Sequence, residues 1–376
     1  MPASPLITVN AGSSSLRLSA FSGERRILAE RSEPPASGRV ETLERFLSGR
    51  SDFWPAAVVH RVVHGGGRGE GAHRVDGALE AEMARLSELA PLHNPPALAW
   101  IHRCKKLFGP SVPQLAVFDT AFFAGLPEAA AAYALPRELS RELSLRRYGF
   151  HGVAHRSMWE RWRELRPDLP DGGRVISFQL GGGCSAAAID GGRPVDTSMG
   201  FSPLEGLVMA TRSGDVDPGL VLYLVRKEGG DVAKIEAMLN GQSGLAGLSG
   251  TSADPRVLFA KEAGEGEEAR AAALAIEVFC RRAKKYLGAY LALLGGADGV
   301  LFGGGIGEHQ PEVRAQILRG LEWAGLRLSP ENGAAVGREA RITAPESRIA
   351  AWVLPVDEER LLAREGAAWL RSAAAG

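Results

Sequence analysis

The sequence predicts an α/β protein of two domains. Short apolar runs alternate with helical stretches across glycine turns, and 376 residues exceed the length of one ordinary domain. A strand–small turn–strand pattern also occurs twice. Leu6–Asn10 (LITVN) is β-branched and ends in an amide; a small-residue turn, Ala11–Ser15, leads into Leu16–Phe21. The pattern returns at Val175–Ile189 as VISFQL, GGGCS and AAAID, again with an amide, Gln179, near the end of its first run. These read as the opening hairpins of two halves with related topology.

Further strands are expected at Ala57–Val63 and Gln114–Asp119, each delivering a charged residue near its C-terminal end, where α/β folds gather ligand groups. Glu267–Leu294 is helical in composition. The run Gly299–Phe302 leads into GGGIGE, and Pro311–Trp323 has helical spacing, with Pro311 suited to a first turn. The Ala-rich stretches Ala129–Ala132 and Ala373–Ala375 read as helix filler and a frayed tail.

Lys plus Arg and Asp plus Glu each total 44, so no bulk field draws the chain to nucleic acid or an anionic membrane, and any anion site must be built locally. Three separated cysteines without a CxxC pair argue against a disulfide framework or structural zinc and fit a reducing compartment. The N-terminus has no signal-peptide pattern, and no run reaches the roughly 18 apolar residues of a membrane span. A cytoplasmic location is expected, with neither membrane nor nucleic acid as partner.

Each motif has a chemical and a structural reading. NAGSSS (Asn10–Ser15) is a phosphate loop with Asn10 facing a metal, or a polar hairpin turn. There is no GxxxxGK[ST], so no Walker-type site follows. Arg61, in HRVVHGGG, sits in a strand that reads as buried and must meet a carboxylate, from the protein or from a ligand. His60 and His64 suggest no metal site. Asp119 (VFDTAF) is a magnesium- or nucleophile-positioning carboxylate, or a turn cap. His151 lies between glycines, facing a ligand or satisfied in a turn. Asp196–Pro218 is a long irregular stretch in which Arg212 can clamp a phosphoryl group or lie on the surface. GGGIGEH (Gly303–His309) departs from GxGxxG at Glu308, yet its glycines permit close approach by a nucleotide. Glu358 and Glu359 are site carboxylates or solvent-facing acids of a helix start.

Together these blocks, with PLHNPP, SGLAGLSG and above all SMGFSPLEG…DVDP, resemble the acetate kinase family of the acetate and sugar kinase/Hsp70/actin superfamily. The resemblance implies an actin-like (RNase H-like, duplicated) fold, divided as 1–120 plus 361–376 and 121–360, and a homodimer. It further implies ATP with Mg2+ (or Mn2+) at the domain cleft and reversible transfer to a small carboxylic acid, acetate first. Arg61 and Arg212 would hold the carboxylate and the moving phosphoryl group, Asp119 would position magnesium or the acyl group, and His151 would donate to phosphoryl oxygens. Asn10 and Glu358 would face the metal, Glu359 less so. Val63, Leu92, Phe150 and Pro203 would form the acyl pocket. Ser13, Ser15, Arg17, Gln179, Gly181, Gly182, Gly183 and Gly303, Gly304, Gly305, Ile306, Gly307 would line the nucleotide phosphates. The chain departs from the family pattern at QLGGG for HLGNG, at Arg17 for lysine, and at His309 in GIGEH for GIGEN. These changes point to weaker transition-state stabilisation or an altered donor. A propionate or butyrate kinase, a non-catalytic nucleotide sensor of the same fold and a sugar kinase are the alternatives. The paired arginines disfavour the last.

Overall fold

The structure is a computed structural model describing residues 5–12, 15–32, 40–47, 54–91 and 93–375. The chain forms two compact units: Met1–Gly125, Phe150–Ser157 and Asp357–Gly376; and Leu126–Gly149 with Met158–Val356. Relative to the division expected from sequence, unit 1 gains 121–125, 150–157 and 357–360. The cause is local packing. The Gly152 N–H donates to the Asp119 carbonyl (3.1 Å), and a Cβ at Gly152 would lie 2.1 Å from that oxygen. The segment opening the helix Gly152–Leu165 is thus held against the end of a unit 1 strand.

Unit 1 is built on a six-stranded sheet of β1 (Leu6–Ala11), β2 (Leu16–Ser22), β3 (Arg25–Ser32), β4 (Ala57–Val62), β5 (His73–Arg74) and β6 (Gln114–Phe118). Its order is β3-β2-β1-β4-β6-β5, with β1, β4 and β6 parallel and the rest antiparallel. Buried on both faces, the parallel strands are mostly apolar. Side chains alternate along each strand. Ile7, Val9 and Val58 pack with Trp100 and Cys104 of the helix Asn94–Phe108, while Leu6, Val59, Leu115 and Val117 pack with Leu361 and Leu362 of the helix Glu358–Ala375. Counting on in twos from Leu6, Val59 and Val117 reaches Asn10, Arg61 and Asp119. The residue period therefore sends all three toward the face covered by the C-terminal helix.

Unit 2 repeats the plan. Its strands are β7 (Arg174–Leu180), β8 (Cys184–Asp190), β9 (Arg193–Thr197), β10 (Gly299–Gly303), β11 (Ala340–Arg341) and β12 (Ala350–Val353). Their order, β9-β8-β7-β10-β12-β11, is that of unit 1 with six added to every index, and the parallel and antiparallel pairings agree. The duplicated, actin-like α/β architecture is as expected. A helix at Glu267–Leu293 buries Ala272, Ile276, Phe279, Ala283, Leu287 and Tyr290, a 3.6-residue stripe.

Three local differences from the sequence reading have clear causes. Pro311–Leu318 stops short of Trp323 because the backbone leaves the helix at Arg319 (ψ 132°) and turns away at Gly320 (φ 73°). Gly304–His309 is a short helix rather than an open loop. The segments β3, β5, β11 and β12, too short or too charged to stand out, had no sequence expectation.

Candidate active site

At the C-terminal ends of β1, β4 and β6, unit 1 assembles a buried charged cluster. Arg61 grips Asp119 with both ends of its fork, Nε to Oδ1 at 3.0 Å and the second nitrogen to Oδ2. Its other terminal nitrogen donates to Asn10 Oδ1 (3.3 Å), and Glu358 lies 3.6 Å from Nε. The Asn10 amide donates to Glu358 (2.6 Å) and Glu359 (3.0 Å), the first residues of the C-terminal helix. Burial, joined by the Glu358 charge, pushes the Asp119 carboxyl up against the opposing pull of Arg61. Burial likewise opposes the Arg61 charge, but Asp119 and Glu358 hold that guanidinium above its ordinary value. Arginine cannot shed its proton in the accessible range, so Arg61 stays cationic. The carboxylate that a buried Arg61 required is thus one of the protein's own.

Arg17, expected among the phosphates, sits across β1 from Asn10 and pairs with Glu359 at 3.6 Å. The cluster then holds three carboxylates against two guanidiniums, one negative charge in excess, with oxygen donors of the type hard cations take. Among the described residues no group of three His, Cys, Asp or Glu side chains is arranged to hold a metal by itself. Magnesium characteristically takes only one or two carboxylates and completes its shell with water and substrate phosphates, so Asn10 and Glu358 fit it.

Beside this cluster, β4 runs into the HGGG turn. His64 N–H donates to Asn94 Oδ1 (3.1 Å) and the Asn94 amide donates back to the His64 carbonyl (3.0 Å). Gly65 N–H donates to Thr120 (3.1 Å), and a Cβ at Gly65 would meet the Phe118 ring at 2.3 Å. Sequence reasoning passed over Asn94 and Thr120. The signal for Asn94 was its place before two prolines at a helix start. Val63 and Phe150 are buried, and the His64 and Phe150 rings meet edge-on at 5.4 Å. His151 adopts φ 58°, a left-handed conformation uncommon for a residue with a Cβ and a marker of functional turns. Ser13 and Leu92 lie outside the described residues. The Ser15 carbonyl closes the first hairpin by accepting from Gly12 N–H (2.9 Å).

Unit 2 gathers the other candidates. Gln179 is paired with Gly303 across β7 and β10. The turn Gly181–Gly183 closes on its own backbone (3.0 Å), and Gly182 accepts from Ala210 N–H (3.1 Å), which joins that turn to the segment carrying Arg212. Gly304 has φ 76°, and a Cβ there would fall 2.6 Å from the Leu180 carbonyl and 2.8 Å from the Gln179 amide nitrogen. Only glycine lets the two loops close around Gln179, whose buried Oε1 has no hydrogen-bond partner among the described residues. Glu308, the residue that spoils GxGxxG, accepts from Gly304 N–H (2.9 Å) and Val356 N–H (3.1 Å) and so anchors the glycine turn. Ile306 and Gly307 lie inside the short helix, buried, and His309 bonds the Gly305 carbonyl (3.2 Å). Arg212 donates to the Pro203 carbonyl (3.1 Å); burial lowers its pKa, opposed by the nearby Cys184 thiol. Cys104, Cys184 and Cys280 are free and buried.

The model of the Acetokinase family matches residues 38–364. The chain belongs to the acetokinase family. It is 50% identical over 311 residues to an acetate kinase of Solibacter usitatus, covering 82% of this chain and 74% of that one. Among solved structures it resembles the acetate kinase of Porphyromonas gingivalis (34% identity, TM-score 0.84, 96% and 98% of the two chains). It resembles as well a propionate kinase of Francisella tularensis (32% identity, TM-score 0.86, 96% and 98%). Among the described residues no helix is long and apolar enough to cross a membrane.

Proposed function

We propose that this acetokinase-family chain transfers the γ-phosphoryl group of ATP reversibly to the carboxylate of acetate. The observation that carries the reading is the delivery of Asn10, Arg61 and Asp119 to one face by three parallel strands, where they meet Glu358. A carboxylic acid with a pKa of roughly 4.3 is ionised at neutral pH, so no general base is needed. The barrier is the approach of two anions, and fixed guanidiniums lower it. Asp119, locked to Arg61, orients that guanidinium, and the second N–H of the terminal nitrogen that also donates to Asn10 is offered to the substrate carboxylate. Arg212 holds the phosphoryl group, the glycine turns Gly181–Gly183 and Gly303–Gly305 admit the nucleotide phosphates, and His151 donates to phosphoryl oxygens. Val63, Phe150 and Pro203 exclude water from the acyl group. Mg2+ or Mn2+, held by Asn10 and Glu358, supplies charge neutralisation for the phosphates when bound.

The enzyme acts in the cytoplasm as a homodimer. The dimer is supported by the helix Pro218–Lys227, which is largely apolar yet buries none of its residues; Leu220, Leu222 and Tyr223 are each about half exposed.

Likeness to a propionate kinase favours propionate as the second reading. One methylene changes discrimination by only about 1–3 kcal/mol. The test is kcat/KM for acetate, propionate and butyrate with ATP, with the acyl phosphate trapped as hydroxamate. Preference for propionate displaces acetate. ATP binding without hydroxamate from any acid sinks the catalytic reading and makes the chain a nucleotide sensor.

A further inference from the structure

The irregular segment 198–217 carries three acids; Asp217 caps the helix that follows, and Glu205 and Asp215 are each gripped by one arginine and one tyrosine from elsewhere in unit 2. Asp215 accepts from Gly206 N–H through Oδ1 (2.8 Å) and from the Tyr286 hydroxyl through Oδ2 (2.9 Å). Arg282 lies 3.3 Å from the same Oδ2 and donates to the Gly206 and Asp215 carbonyls (3.2 and 3.1 Å). Asp215 N–H also donates to the Gly206 carbonyl (3.0 Å). Positions 206 and 215 therefore form the neck of a loop tied to one helix, Glu267–Leu293, one turn apart at Arg282 and Tyr286. Glu205 receives Arg147 (2.6 Å) and the Tyr133 hydroxyl, which itself accepts from Phe201 N–H (2.8 Å). Arg147 also donates to the Thr197 and Ser198 carbonyls, and its guanidinium stacks on the Tyr133 ring.

Arg212 lies inside the neck that Asp215 closes. On its far side the backbone is laced to 239–246: Ser213 N–H donates to Leu239, Ser243 N–H to Thr211, and Ala246 N–H to Ala210. The loop has no regular ladder of its own, so these ties determine where the guanidinium sits. Both carboxylates are fully engaged in charge-assisted bonds, which suits anchors rather than acids that handle protons.

We infer that Glu205 and Asp215 are anchors, and that Tyr133, Arg147, Arg282 and Tyr286 are positioning residues that fix Arg212 for phosphoryl transfer. This rests on the role given to Arg212 above. A displacement of about 1 Å in a group that stabilises the transition state costs up to roughly 100-fold in rate. Asp215→Ala and Arg282→Met should therefore lower kcat by roughly 10- to 100-fold while KM for ATP changes less than about threefold. Asp215→Asn, which keeps the acceptor for Gly206, should recover most of the loss. Tyr286→Phe and Tyr133→Phe, which remove one hydroxyl each, should show smaller decreases in kcat.

The experiment is steady-state kinetics on the full-length protein, with ATP binding measured to count folded molecules. Asp215→Ala is repeated in an Arg212→Ala background. If the clamp acts through Arg212, the second substitution changes kcat there by less than about threefold. A full multiplicative loss in that background overturns the inference. So does parental kcat in Asp215→Ala while Arg212→Ala is impaired, and that result leaves the reading of Arg212 intact. Parental kcat in Arg212→Ala overturns both. If Asp215→Ala does not fold, the two tyrosine variants decide, and parental kcat in both counts against the clamps.

Discussion

Replacing Arg61 by methionine removes one half of a buried ion pair. Arg61 is 9% exposed and Asp119 fully buried, with two hydrogen bonds between them. Deleting one partner strands the other charge in a low dielectric, at a cost of about 3–5 kcal/mol. Arg61→Met should thus unfold at lower urea concentration than the parent at pH 7, and Arg61→Met/Asp119→Leu, which removes both charges, should recover most of the difference. The pH dependence follows from burial. Without its guanidinium, Asp119 has a folded-state pKa pushed above its unfolded value, so the folded variant binds more protons than the unfolded chain. Its deficit is then full above the folded pKa and shrinks as the pH falls. Urea titrations followed by tryptophan fluorescence at pH 7 and pH 5, each compared with the parent at the same pH, measure both effects, and Asp119→Asn in the same background should make the difference from the parent independent of pH. A parental urea midpoint for Arg61→Met, or no recovery in the double variant, refutes the reasoning. Activity losses at Arg61 must consequently be expressed per folded molecule.

Burial lowers His60 and His64 to about 4 and His155 to about 3, against 6.5 in the unfolded chain. The unfolded state therefore binds protons first, and stability present above pH 6.5 is lost on acidification; from pH 7 to 5 the loss is about 2 kcal/mol for each histidine. Urea midpoints at the two pH values test this, and His60→Gln should remove about a third of the slope. Gly304→Ala forces a side chain into positive φ and against Leu180 and Gln179; it should weaken ATP binding at least about tenfold by calorimetry while acetate KM changes little. Leu222→Glu with Tyr223→Glu, on the exposed apolar helix, should shift sedimentation from dimer to monomer with the circular dichroism preserved.

What the sequence disclosed follows from how locally each feature is encoded. The strands β1, β4, β6 and β10 are buried on both faces and announce themselves as apolar runs. The edge strand β3, RRILAERS, is mostly solvated and looks like loop. Asn10 and Gln179 were visible because both are the penultimate residue of an opening strand. That Asp119 serves Arg61, and that Arg17 faces Glu359, depends on contacts between residues 58 and 342 positions apart, which no local pattern carries. Glu308 was given no role for the same reason, since its partner Val356 lies 48 residues on. Glu205 and Asp215 went unremarked because their arginine and tyrosine partners belong to other elements.

The two matching sheets have one further consequence. One step beyond the Val9–His60 pair of unit 1 stands Arg61; the matching position in unit 2, one step beyond Phe178–Phe302, is Gly303. One strand plan thus offers the same seat twice, furnished with a resident cation in unit 1 and reduced to bare backbone in unit 2. A side chain at 303 would collide with Met158 (2.4 Å) and Val356 (2.6 Å), so the second seat stays empty by packing.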